Sequence, residues 1–475
     1  MNASARRRIT LTGSVVGAVL VALDGTVLTV AQPALQDDLG ASLAQVQWTS
    51  TGYLIAVASL LVFAGRLGDR YGHARLFGYG TLGFAAASAG IGFAPDIRWV
   101  IGLRMLQGVC GALLQPATLG MLRAAYAADS LGMPIALRTS AIGVAAAAGP
   151  LVGGALTAQL GWRSVFFLGV LPAVVIAVIV LAARRDAVLE RPDGVPADDR
   201  TAAPAPRAVG LDPGGALLLA VALGCLVATL AGLPGAGWTT GTTLFAAGAG
   251  ASAVGFVAHE RRTADPLLPP ALLASPAVAP ALAILLTASA ALFGTLFTAT
   301  YFLQDVLGLD PLGTALRMLP AALCMVLAAP LTPVLLRRYG SRATTSGGML
   351  FLAAGVFGFG RLDTSSPQLA ITVCAFAMGT GFGTVMVAAT ESLVRHADLG
   401  AAGVTGGLQQ TAMNVGPTLG VATATTLLAT GADFVASMGV TLTALAVLLL
   451  LTCAAAVRLP AGAAQRVTRA RTRAP

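Results

Sequence analysis

Fourteen times along this 475-residue chain an apolar stretch runs on with little or no charge, each near the roughly 20 residues a helix needs to cross a bilayer. The stretches are 9–31, 46–65, 76–94, 99–122, 139–160, 164–183, 213–234, 239–258, 276–301, 318–336, 343–360, 367–390, 402–428 and 434–457. A backbone facing lipid has to satisfy its hydrogen bonds internally, so each is expected to be helical. Composition removes the soluble alternative. The chain is 56% hydrophobic and 10% charged, whereas soluble domains carry about 25% charge. The expected fold class is an all-α polytopic membrane protein of 14 transmembrane helices.

All 29 basic residues are arginine, and the net charge is +9. They are scattered among short loops, so no continuous basic stripe forms for a nucleic acid. Their placement instead sets orientation. With Arg6, Arg7 and Arg8 in the cytoplasm, 24 of the 29 arginines fall on that side, including Arg66, Arg70, Arg75, Arg123, Arg138, Arg337, Arg338, Arg342 and Arg395. Acids such as Asp37, Asp38, Asp305, Asp310 and Asp433 fall in outer loops. Both termini are expected to be cytoplasmic in the cell membrane. Asp24 interrupts the first apolar run and no small-residue cleavage site closes it, so a retained first helix is expected rather than a signal peptide.

The absence of lysine excludes a Walker A phosphate loop. Cys110, Cys225, Cys324, Cys374 and Cys453 are widely spaced inside apolar runs, which suits packing rather than disulfides. His73, His259 and His396 have no metal-ligand spacing, so no metal site and no enzyme chemistry are expected.

An internal repeat divides the chain. Asp69-Arg70-Tyr71-Gly72 matches Arg337-Arg338-Tyr339-Gly340 at an offset of 268 residues, and Gly149-Pro150-Leu151-Val152-Gly153 matches Gly416-Pro417-Thr418-Leu419-Gly420 at 267. The expected organisation is a six-helix bundle over 1–183, a proline-rich cytoplasmic linker over 184–210 and an inserted helix pair over 211–275. A second six-helix bundle over 276–457 and a basic tail over 458–475 complete it. Duplicated bundles around a midplane site are a signature of secondary transporters.

Within the spans, only Asp24 and Arg104 are charged and deep. Asp24 lies roughly 22 Å from the cytoplasmic face and Arg104 roughly 8 Å from the outer one, counting 1.5 Å per residue across a ~30 Å core. They therefore meet at similar height. The pair is either a structural lock between the first and fourth helices or a carboxylate that takes up and loses a proton. Gln107, Gly108, Gly111 and Gln115 share neighbouring rows with Arg104, as a cavity wall or as interhelical hydrogen bonding. Gly143, Gly149, Pro150, Gly153 and Gly154 allow close approach and a bend in the fifth helix. In the loop Gly65 to Arg75, with Gly65, Asp69, Arg70, Gly72 and Arg75 as gating candidates, Asp69 can meet a helix amino terminus. Phe293, Phe297 and Tyr301 form a stripe on the ninth span, and Gln409, Gln410 and Asn414 lie on the thirteenth. Each set suits either a substrate cavity or packing. Glu391, at the cytoplasmic end of the twelfth span, is expected to be solvated.

Together these motifs resemble the major facilitator superfamily, and within it the fourteen-helix drug:proton antiporter branch. Leu23-Asp24-Gly25-Thr26-Val27-Leu28-Thr29-Val30-Ala31-Gln32-Pro33 is similar to that branch's first-helix motif, and Gly65 to Arg75 to the superfamily's loop between helices two and three. Arg104-Met105-Leu106-Gln107-Gly108 resembles the fourth-helix motif linked with proton transfer. Gly149 to Gly154, followed by Trp162-Arg163, is similar to the fifth-helix antiporter motif. Leu303 to Gly308 and Leu319-Pro320 also fit. Ser164 stands where a second tryptophan is usual, and Pro311 to Ala315 replaces a common Ala-Gly pair.

The resemblance implies efflux of amphipathic drugs or antibiotics by proton antiport and alternating access, with a proton gradient and no cofactor as energy source. A proton-coupled transporter of one endogenous metabolite, or an importer, is the competing expectation. A single buried acid suits a neutral or monocationic cargo.

Overall fold

The computed structural model describes residues 3–189, 211–263, 265–268, 272, 275, 277–396, 401–429 and 433–456. The expected basic tail and most of the expected linker, with Arg191, Arg200 and Arg207, lie outside them. Among the described residues every regular element is helical.

The first half contains α1 (Ala3–Leu39), α2 (Leu43–Tyr71), α3 (His73–Gly92), α4 (Ile97–Ala125), α5 (Gly132–Leu160) and α6 (Val170–Leu189). α7 (Pro213–Ala236) and α8 (Thr240–Glu260) follow. The second half contains α9 (Val278–Tyr301), α10 (Pro311–Phe359), α11 (Gln368–Arg395), α12 (Ala402–Leu428) and α13 (Phe434–Ala456). Eleven of these helices are long and apolar enough to cross a membrane. The 49 residues of α10 would reach about 73 Å at 1.5 Å per residue, but Gly340 breaks the helix with φ 81° and ψ 167°.

Gly72 ends α2 in the same left-handed region, at φ 93°. Gly72 and Gly340 close the two copies of the repeated Arg-Tyr-Gly turn, and only glycine adopts that conformation without a steric penalty. The repeated Gly-Pro segments also do the same job twice. Gly149 packs on Thr26 and Gly153 on Val27, so α5 lies directly on α1. In the second half Gly416 packs on Ser289 and Gly420 on Ala290, so α12 lies on α9.

α7 and α8 pack on each other, and α7 packs against α2. The Nε of Arg66 on α2 donates to the Leu267 carbonyl at 3.1 Å, and the guanidinium also reaches Pro266. Asp212 caps α7 through the Gly215 amide at 2.9 Å and faces His259 at 2.9 Å. Burial works to raise the Asp212 carboxyl, but the Gly215 amide and His259 outweigh it and hold it below its usual range.

Several positions differ from the sequence reading: the stretch expected as a loop over Gly65 to Arg75 is helical apart from Gly72, because α2 runs to Tyr71 and α3 starts at His73. α1 continues past residue 31 to Leu39, so Asp37 and Asp38 sit on its last turns rather than in a loop. There Asp38 accepts from Trp162 Nε1 at 2.9 Å and from Arg163 at 2.5 Å, which ties α1 to the segment ahead of α6. Arg138 belongs to the second turn of α5 and is only 2% exposed, because α5 begins at Gly132 and not at 139. Glu391 is 9% exposed rather than solvated, because the opposite half of the molecule covers it.

Candidate functional site

Asp24, near the middle of α1, faces Arg104 on α4. Arg104 Nη1 donates to Asp24 Oδ2 at 2.6 Å and to Gln107 Oε1 at 2.6 Å, while its Nε donates to the Thr49 carbonyl on α2 at 3.1 Å. Its guanidinium also lies over the Tyr53 ring, 4.4 Å from the centroid. Gln107 completes the set: its Nε2 donates to Asp24 Oδ1 at 2.9 Å and to Ser88 Oγ on α3 at 2.6 Å. Both carboxylate oxygens are thus satisfied, with the Asp24 side chain 11% exposed and that of Arg104 2%. A cavity of about 20 Å³, lined by Asp24, Leu20, Phe84, Ser88 and Phe166 among others, adjoins the carboxylate. That is room for a single water molecule. Gln107 therefore belongs to the charge cluster rather than to a separate cavity wall. Its spacing of three residues from Arg104 is the signal that places it there.

The geometry makes an asymmetric prediction about stability. Arg104→Ala leaves the buried Asp24 with Gln107 alone, and breaking a buried pair in this way costs about 3–5 kcal/mol. Asp24→Asn costs less, since Arg104 keeps the Thr49 and Gln107 oxygens and the Tyr53 face. Thermal unfolding in detergent should show Arg104→Ala as the less stable of the two. The double variant Asp24→Asn/Arg104→Gln should recover most of the loss.

A second cluster joins the two halves at one end of the molecule, the end carrying Gly72. Asp69 Oδ1 accepts from the Gly403 amide at 2.7 Å and Oδ2 from the Val404 amide at 3.1 Å. These are first-turn amides of α12, so a first-half carboxylate caps a second-half helix, where the dipole favours negative charge. The Asp69 side chain is fully buried, with His73 Nε2 at 3.3 Å. Gly65 and Gly403 meet backbone to backbone, and Gly407 packs against the Leu61 carbonyl, so no side chain fits in this seam. Arg70, Gly72 and Arg75 are exposed, with Arg70 over the Tyr71 ring.

The seam continues inward. Gln410 Nε2 donates to Gln115 Oε1 at 2.5 Å between α12 and α4, and Ser140 Oγ donates to the Val326 carbonyl at 2.9 Å between α5 and α10. Arg395 pairs with Asp129 across the same end. Gln409 Nε2 reaches Thr390 at 3.5 Å, and Asn414 Nδ2 donates to the Gln410 carbonyl at 2.8 Å. In this conformation Gln410 and Gln115 bond across the seam, whereas Gln409 and Asn414 bond within the second half. Phe293 and Tyr301 are 40% and 45% exposed, and the Phe297 and Tyr301 rings lie 4.9 Å apart. Gly149 and Gly153 are buried against α1, while Pro150 is exposed and Gly154 half-buried.

The family model described as Major Facilitator Superfamily matches residues 15–421. The chain belongs to the major facilitator superfamily. It is a multi-pass membrane protein of that transporter family. It is 38% identical over 424 residues to the tetracenomycin C resistance and export protein of Streptomyces glaucescens, covering 88% of this chain and 76% of that one. It is 33% identical over 420 residues to the puromycin resistance protein of Streptomyces alboniger, covering 87% and 80%. With the multidrug efflux pump LfrA of Mycolicibacterium smegmatis it shares 30% identity over 421 residues, covering 86% and 78%. The resemblance read from the motifs is thereby borne out. Two solved structures share the fold at 15% identity. The human organic anion transporter MFSD10 aligns with a TM-score of 0.67 over 95% of this chain and 99% of that one. The proton:xylose symporter XylE aligns with a TM-score of 0.63 over 97% of each.

Proposed function

We propose that this major facilitator protein exports amphipathic drugs or antibiotics across the cell membrane in exchange for protons. The cargo class rests on the export and resistance proteins among its relatives. The coupling rests on one observation: Asp24 is a buried carboxylate whose two oxygens are held by Arg104 and Gln107 beside a water-sized cavity. A charge so deep in a span is expensive to bury, and such residues typically mark proton or substrate pathways.

The arginine distribution supports placing both termini and the Asp69 end in the cytoplasm. The capped and interlocked seam is then the shut cytoplasmic gate of an outward-facing state. Counting α10 as two crossings, either side of Gly340, supports fourteen spans. These comprise bundles over 1–183 and 276–457, an inserted pair within 211–275, a linker over 184–210 and a tail over 458–475. In the cycle, inward opening uncaps α12, and cargo enters from the cytoplasm as Asp24 loses its proton there. After the cytoplasmic gate closes, a proton from outside returns to Asp24 and cargo leaves.

The relatives at 33–38% identity are named for one compound each, and those at 27–30% mostly for multidrug resistance. That observation favours a narrow cargo range as the second reading. A panel including puromycin and tetracenomycin C, in inverted vesicles with an imposed proton gradient, tests both. Uptake that a protonophore abolishes supports antiport, and the number of compounds moved decides the breadth. Gradient-independent movement of every compound would overturn the proposal.

A further inference from the structure

The seam contains a carboxyl group that the coupling scheme above does not use. Glu391 lies one turn before the end of α11 and is 9% exposed. Its Oε2 has no hydrogen-bond partner. A methyl group on Gly132 would stand 2.7 Å from that oxygen and 3.3 Å from Cδ, so the carboxyl rests on the first residue of α5, across the seam. The α5 amino terminus has no side-chain cap, whereas its counterpart in the repeat, the start of α12, is capped by Asp69. Arg337 stands 268 residues after Asp69, so α10 brings a cation to this end where α2 brings a carboxylate.

The charges acting on Glu391 come from Arg395 on its own helix, Arg337 on α10 and Asp129 on the turn ahead of α5. α4, α5, α9 and α12, also packed on α11, bring none among the described residues. Arg395 is decisive. It follows Glu391 by four residues, the spacing at which a glutamate and a later arginine pair on one helix face. Here it is drawn away instead, to Asp129 in the other half. An ionised carboxylate left buried with an unpartnered oxygen costs several kcal/mol.

We propose that Glu391 is a second proton-exchanging residue, protonated while the Asp69 end is shut and ionised when that end opens. Shut, Arg395 is neutralised by Asp129 and Glu391 is neutral. Opening separates Arg395 from Asp129, whose side chain is already exposed to water at this end. Glu391 then gives its proton to water on that side, and Arg395 turns back to pair with it. One proton leaves and no charge is left buried alone. The inference deepens the antiport reading and rests on it for its role in transport, but its own step needs neither cargo nor gradient.

The test uses the full-length protein in nanodiscs, in the Asp24→Asn background so that Asp24 is silent. Probes placed across the Asp69 end report its separation as pH rises, and an indicator dye counts protons released. Glu391→Gln, a neutral isostere that keeps the packing, should release one proton fewer per molecule and lose the pH-dependent separation. Asp129→Asn frees Arg395 for Glu391 and weakens the latch, so opening should move to lower pH. Identical proton counts and opening curves with and without Glu391→Gln overturn the proposal. Parental export by Asp24→Asn would instead overturn the role given to Asp24 and leave this result standing by itself.

Discussion

Asp24→Asn is expected to reduce proton-driven export in inverted vesicles to the level of vesicles lacking the protein. The substitution preserves shape and most of the hydrogen bonding around Arg104, whose Nε and Nη1 keep the Thr49 and Gln107 oxygens. What it removes is the one carboxyl group deep in the first half, the group placed to take up and lose a proton. The protein should still insert and bind cargo, so cargo moving down its own gradient should continue. Parental proton-driven export by Asp24→Asn would make the cluster structural and put coupling elsewhere.

Asp69→Asn should weaken the closed seam at the Asp69 end of the molecule. The carboxylate accepts from two consecutive amides of α12, one with each oxygen. An asparagine offers one acceptor and turns its NH₂ toward the other amide, leaving that donor unsatisfied. Loss of the charge at a partly buried helix terminus costs up to ~2 kcal/mol, and the stranded amide adds about 1–3 kcal/mol. Even the lower part of that range, about 2 kcal/mol, shifts the ratio of shut to open molecules roughly 30-fold. Distance distributions between probes on the ends of α2 and α12 measure this directly. Cargo affinity within each state should stay near the parental value, since Asp69 lies in the gate. Unchanged distributions would refute the capping role.

The two clusters were legible from the sequence to different degrees. Helical rise is uniform, so counting residues places Asp24 and Arg104 at one height, and their rarity among apolar neighbours marks them. Asp69 is recognisable as a carboxylate in search of a helix end. Which end it finds, 334 residues away, depends on how the two halves pack, and the glycine seam of Gly65, Gly403 and Gly407 settles that only in three dimensions. Glu391 and Arg138 are both more buried than their sequence positions suggest. Both lie close to helix ends, where sequence position suggests water, but the opposing half covers Glu391 and α5 starts seven residues earlier than its apolar run suggests. Hydropathy reports a preference for lipid over water and is blind to burial by protein. The same limit governs Gln115 and Gln410, whose bond between α4 and α12 cannot be read from two separate amides.

Cargo and proton are proposed to exchange through Asp24. Purified protein in weakly buffered detergent, mixed with the cargo that moves fastest in the vesicle panel, tests it most directly. Cargo binding should release protons to the medium, and Asp24→Asn should bind the same cargo while releasing one proton fewer. Binding without proton release, or equal release from the parent and Asp24→Asn, would rule out exchange through Asp24.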